Sequence, residues 1–85
     1  MDEIMHVVKN YILTTFLPGE DPNALTPTMP LRTSGILDSL ATLELVAFLE
    51  ERFGVELEAH DIDPSRLETL NDITSLVQSK LSARA

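Results

Sequence analysis

The 85-residue sequence contains no cysteine, which excludes disulfides and thiolate metal sites. It is also short of positive charge. Six lysines and arginines stand against fourteen acids, for a formal net charge of −8. Binding to a nucleic-acid backbone needs neutralising Lys and Arg side chains, so no nucleic-acid partner is expected. No apolar run approaches the length that crosses a bilayer, and no membrane insertion is expected either. The opening stretch MDEIMHVVKNYILTTFLPGE carries Asp2 and Glu3 where a signal peptide would carry positive charge, and His6, Lys9 and Asn10 interrupt its apolar residues. It reads as an amphipathic helix rather than a targeting segment, with the cytoplasm as the expected compartment.

The hydrophobic fraction, 44%, is that of a folded chain rather than a disordered acidic tail. Residues 1–85 read as one domain with a thin core and little room for a buried active-site cleft. Over 3–17, Ile4, Val7, Val8, Tyr11, Ile12 and Phe16 recur at spacings of three and four, the signature of one apolar helical stripe, and Pro18-Gly19 ends it. The connection that follows, PGEDPNALTPTMPLRTSGI, holds four prolines and two glycines. A loop this long in a small domain needs an anchor; Leu25, Met29, Leu31, Ile36 and Leu37 are the side chains available to supply it.

The clearest helix spans 39–53, with Asp38 as N-cap, Arg52 in the last turn and Gly54 as the terminating residue. It carries two apolar faces. Thr42, Leu45, Val46, Leu49 and Phe53 form one; Leu40, Leu43 and Ala47 form another, flanked by Glu44 and Glu51. Either both enter the core or the second stays exposed beside its acids as a docking surface, and a single-layer bundle favours the second outcome. Val55 and Leu57 read as packed loop. Pro64, capped by Asp63, predicts a short helix over 63–67. Thr69 and Asp72 resemble a capping box for a last helix over 70–82, carrying Leu70, Ile73, Leu76, Val77 and Leu81, with SARA frayed. Nine acids lie between Asp38 and Glu68 against only Arg52 and Arg66. That field either steers basic protein surfaces inward or serves solubility alone.

Ser39 sits beside Asp38 at a helix start, and hydrolysis by such a serine would need a general base. The two histidines, His6 and His60, lie far from it in sequence; His6 reads as a half-buried helix residue and His60 as an exposed one in an acidic loop. Asp38, Asp61 and Asp63 lack the oxygen ladder of a calcium loop, and no zinc spacing occurs, so no metal site is expected. The chain does not read as an enzyme. A serine in the first turn of a helix has a different use, because the free amides and positive dipole end favour an attached phosphate.

The stretch LRTSGILDSLATLELVAFLEERFGVEL resembles the acyl and peptidyl carrier protein family. The likeness extends over nearly the whole chain, with Asp38-Ser39-Leu40 opening the second helix, Gly35 four residues before Ser39 and ELVAFLEERFG after it. The resemblance implies an all-α fold, a small four-helix bundle with a long first loop and a short third helix. It implies that Ser39 receives 4′-phosphopantetheine from coenzyme A, with Asp38 and Leu40 as motif neighbours. The arm's own thiol would then carry an acyl or aminoacyl group as a thioester, which makes the absence of cysteine no obstacle. Leu40, Leu43, Glu44, Ala47 and Glu51 match the family's partner-recognition face, and Ile62 matches a position packing near the arm and the second helix.

The partners so implied are a phosphopantetheinyl transferase, an acyl- or aminoacyl-loading ligase or acyltransferase, and a downstream synthase or transferase, visited by a monomer. DSLATLELV looks closer to fatty-acid carriers, while GILDSL and LEERFGVEL also resemble discrete carriers of D-alanine and other aminoacyl groups. The proline-rich first loop departs from the compact fatty-acid pattern. The expectation is therefore a discrete carrier in a specialised biosynthetic or amino-acid-loading pathway. The alternative is an unmodified helical protein–protein interaction module using the same exposed stripe.

Overall fold

A computed structural model describes residues 2–19 and 21–84. Three α-helices of fifteen residues each make the fold: α1 (Asp2–Phe16), α2 (Ser39–Phe53) and α3 (Leu70–Arg84). Short 3-10 turns punctuate the connections at Pro22–Ala24, Ala59–Ile62 and Pro64–Arg66. No described helix is long and apolar enough to cross a membrane.

The core is aliphatic. Ile4, Val8 and Ile12 of α1 pack with Leu45, Val46 and Leu49 of α2 and with Leu70, Ile73, Leu76 and Val77 of α3, all buried. These are the residues that a 3.6-residue period places on one face of each helix. Tyr11 and Phe48 tie α1 to α2 further out, stacked with ring centroids 3.9 Å apart, while the Tyr11 hydroxyl donates to the Glu44 carbonyl at 3.3 Å. Burial, and after it the Glu44 carboxylate, push the Tyr11 phenol above its ordinary range.

The long first connection is held by its own leucines. Leu25, Leu31 and Leu37 are among the most buried side chains of the molecule, and Met29 and Ile36 pack half-buried beside them. Backbone bonds reinforce the anchoring at the start of α3. The Leu31 amide donates to the Glu68 carbonyl at 2.6 Å, and the Asn71 amide donates to the Pro27 carbonyl at 3.1 Å. Four prolines restrict the unfolded loop as well, which lowers the entropy its ordering costs.

The four-helix bundle expected from the resemblance is not what forms: the described residues make three α-helices, and the predicted third helix over 63–67 is replaced by 3-10 turns. The reason is local. A residue before proline is pushed out of the helical region, and Asp63 is extended, at φ −58° and ψ 137°. Its carboxylate then accepts from both the Ser65 amide (2.9 Å) and the Ser65 hydroxyl (2.7 Å), closing a side-chain turn in place of a helical one. Thr69 already caps α3, its hydroxyl accepting from the Asp72 amide at 3.1 Å. Too few residues separate Pro64 from that cap to nucleate an α-helix.

Elsewhere the boundaries move only slightly. α1 ends one residue before the expected Leu17, and α3 runs past the expected residue 82 through most of SARA, whose Ala85 lies outside the described residues. The Gly54 backbone turns left-handed at φ 66° to end α2. Beyond it, Val55 and Leu57 are buried, and the Leu57 amide donates to the Glu50 carboxylate at 3.0 Å, folding this segment back onto α2.

An ion pair between buried Asp61 and half-buried Lys80 then fastens the 3-10 segment to α3. Asp61 lies 2.6 Å from the Lys80 ammonium and accepts from the Glu58 amide at 3.0 Å. The Lys80 hydrogen bond first, and the Glu58 amide second, hold the Asp61 carboxyl below its ordinary range. A carboxyl lowered on folding stabilises the fold above its unfolded value, near pH 4, and loses that contribution as the pH falls through the folded value. Asp61→Asn is expected to lower stability at pH 7 and to flatten the loss of stability in acid below about pH 4. Urea melts across pH measure both; a variant whose acid limb matches that of the parent chain would remove Asp61 from this role.

Candidate functional site

Ser39 is the first residue of α2 and is exposed. The hydrogen bonds that start the helix belong to its neighbours. Asp38 is the N-cap in extended conformation, its carboxylate accepting from the Ala41 amide at 2.8 Å, and its carbonyl accepts from the Thr42 amide at 2.9 Å. The Thr42 hydroxyl donates to that same carbonyl at 2.7 Å and accepts from the Arg32 guanidinium at 3.0 Å. The Ser39 hydroxyl takes no part in this scaffold. It stands at the positive end of a fifteen-residue helix, in solvent, which suits a phosphate ester on its oxygen.

The approach to Ser39 is shaped by a closed turn. The Leu37 amide donates to the Leu31 carbonyl at 3.0 Å, and the Gly35 amide donates to the Arg32 carbonyl at 3.1 Å. Gly35 has φ +87° and faces open space, so a side chain there would be strained by the backbone and not by crowding.

The two faces of α2 separate as the single-layer reading requires. Thr42, Leu45, Val46 and Leu49 are buried and Phe53 is half-buried. Leu40 and Leu43 are 67% and 60% exposed, the large apolar side chains left most open among the described residues. Glu44, Ala47 and Glu51 are exposed beside them, so the reading in which both faces are core fails. Ile62 is half-buried in the 3-10 turn at Ala59–Ile62, packed on the core.

His6 lies exposed on α1 rather than half-buried as expected. His60 is exposed with Glu58 at 3.4 Å and Asp61 at 3.5 Å. Glu58, His60 and Asp61 bring one ligand-type atom each within 4.8 Å of one another, a grouping that the sequence reading did not assemble. The Asp61 carboxylate in that group is already engaged by Lys80. Arg32, Thr42 and Glu68 are the contributors to the site that sequence reasoning missed. Arg32 did carry a signal, as the lone base of the first loop.

A family pattern described as "Phosphopantetheine attachment site" matches residues 17–77. The chain belongs to the phosphopantetheine-dependent acyl and peptidyl carrier family. Among its relatives are a probable acyl carrier protein, PigG, of a Serratia species, 36% identical with 81% of this chain and 78% of the relative covered, and the D-alanyl carrier protein of Lacticaseibacillus casei, 33% identical with 84% and 90% covered. The acyl carrier protein of Thermosynechococcus vestitus is 33% identical with 95% of each chain covered. Membership makes this carrier a bearer of acyl or aminoacyl groups on covalent 4′-phosphopantetheine, itself non-catalytic, and sets aside the unmodified interaction module.

The division of labour at this carrier's helix start can be measured. Asp38→Ala removes the bond to the Ala41 amide and is expected to cost about 1 kcal/mol of stability. Ser39→Ala is expected to stay within about 0.5 kcal/mol of the parent. Denaturant melts that found equal losses would mean that Ser39 shares the cap.

Proposed function

We propose that Ser39 is the residue that carries the 4′-phosphopantetheine, and that Leu40, Leu43, Glu44, Ala47 and Glu51 form the face that partner enzymes dock on, with Ile62 at its edge. One observation carries the reading. Ser39 is exposed at the start of α2 while Asp38 does the capping, so its oxygen is free to be esterified without unravelling the helix. When bound, the group supplies a thiol on a flexible arm that holds the cargo as a thioester. The chain's part is to present Ser39 Oγ, to place the phosphate at the positive end of the helix dipole, and to offer an apolar stripe ringed by acids to basic partner surfaces.

The partners in this reading are a phosphopantetheinyl transferase, a loading ligase or acyltransferase, and a downstream synthase or transferase, all meeting the carrier in the cytoplasm. The pathway is a specialised or amino-acid-loading one, with the likeness to a D-alanyl carrier in favour of an aminoacyl cargo. Intact-protein mass after incubation with coenzyme A, magnesium and a broad-specificity phosphopantetheinyl transferase tests the attachment residue. A gain of one phosphopantetheine, lost in Ser39→Ala, is expected. A gain that survives the substitution would move the attachment elsewhere.

The docking face has its own test. Glu44→Lys with Glu51→Lys is expected to slow transfer of cargo to downstream enzymes more than attachment of the arm. Equal loss at both steps, or none at either, would count against this face.

A further inference from the structure

We infer that Arg32 is a positioning residue for the attachment turn, an inference that rests on Ser39 being the residue modified. Arg32 is a half-buried cation in an acid-rich chain, yet among the described residues it forms no ion pair with a carboxylate. Its guanidinium is spent instead on a neutral hydroxyl, that of Thr42, which is only 4% exposed. Arginine bonds carboxylates and phosphates far more strongly than hydroxyls. The contact is therefore better suited to fixing geometry than to contributing charge-pair energy.

The geometry that it fixes brackets Ser39 on both sides. The Arg32 carbonyl accepts from the Gly35 amide, four residues before Ser39, while its side chain reaches Thr42, three residues after it. Thr42 passes the constraint on, donating to the Asp38 carbonyl at 2.7 Å. The Arg32 backbone is in turn flanked by fixed residues. The Leu31 amide is bonded to the Glu68 carbonyl, and the Thr33 amide donates to the Glu68 carboxylate at 3.3 Å. A chain of hydrogen bonds thus runs from the start of α3, through Arg32, to the turn that presents Ser39. Without the guanidinium, the loop and the first turn of α2 remain joined in sequence but lose the strut between them. A serine presented over a wider range of angles reaches the productive arrangement with a transferase less often, which lowers the rate of the chemical step rather than the affinity.

Two measurements test this with Arg32→Met, which keeps the apolar stem, Thr42→Val, which keeps the Arg32 charge, and Thr42→Ser, which keeps the hydroxyl. On the unmodified chain, amide hydrogen exchange at Gly35, Ala41 and Thr42 should quicken in Arg32→Met and Thr42→Val and return toward the parent in Thr42→Ser. In phosphopantetheine transfer from coenzyme A, Arg32→Met and Thr42→Val should each lower kcat about fivefold with KM little changed, and the double variant should be no worse than the poorer single. A raised KM with unchanged kcat would make Arg32 a docking charge and overturn the inference. So would unchanged exchange at the three amides, or single effects that multiply in the double variant. A parent chain that accepts no arm would refute the attachment reading; the exchange data would still decide whether the strut exists.

Discussion

Leu25, Leu31 and Leu37 sink three side chains of an irregular loop into the same core that α1, α2 and α3 share, and the position of Ser39 follows from that constraint. A loop crossing from α1 to α2 without regular secondary structure would otherwise sample many paths, each delivering the start of α2 differently. Burial of the leucines selects one path. Backbone bonds to Glu68 and from Asn71 then close it against the start of α3, so the turn before Ser39 is braced from the far end of the chain.

α2 meets two demands with one helix. Its inner residues supply Ala41, Leu45, Val46 and Leu49 to the core, and Leu40, Leu43 and Ala47 on its outer side stay apolar without being buried. Three helices in a single layer leave α2 with an uncovered flank, and there the chain keeps Leu40, Leu43 and Ala47 rather than replacing them with polar residues. The cap is arranged to the same end. The Asp38 carboxylate satisfies the Ala41 amide, the Thr42 hydroxyl satisfies the cap carbonyl, and the serine between them takes no part in either bond.

Much of this was legible from residue order alone, because a 3.6-residue period is a local signal. The stripes through Ile4, Val8 and Ile12, through Leu45 and Leu49, and through Ile73, Leu76 and Val77 can be read one turn at a time, and so can the cap at Asp38. The leucines that anchor the loop were identifiable as apolar residues in a stretch that needed an anchor. The expected third helix failed because Pro64 and the Asp63–Ser65 turn compete over a span too short for periodicity to register. The ties from Arg32 to Thr42, from Glu68 to Leu31 and Thr33, and from Lys80 to Asp61 join residues ten to thirty-seven positions apart. No spacing rule announces them, since they arise only once the helices have packed. The cargo leaves no mark at all, because it hangs from an arm rather than from the chain.

The outer stripe of α2 is small, two exposed leucines and an alanine along a single helix. If partners dock there as proposed, these three side chains form only a small apolar centre beside the roughly 1,200–2,000 Å² that stable complexes bury. Surrounding acids hasten arrival at a basic surface but hold it only loosely once there. Short residence times would follow from docking through this face. A shuttle that must leave one enzyme before it can serve the next gains more from rapid departure than from tight grip, and a modest face of this kind would provide it.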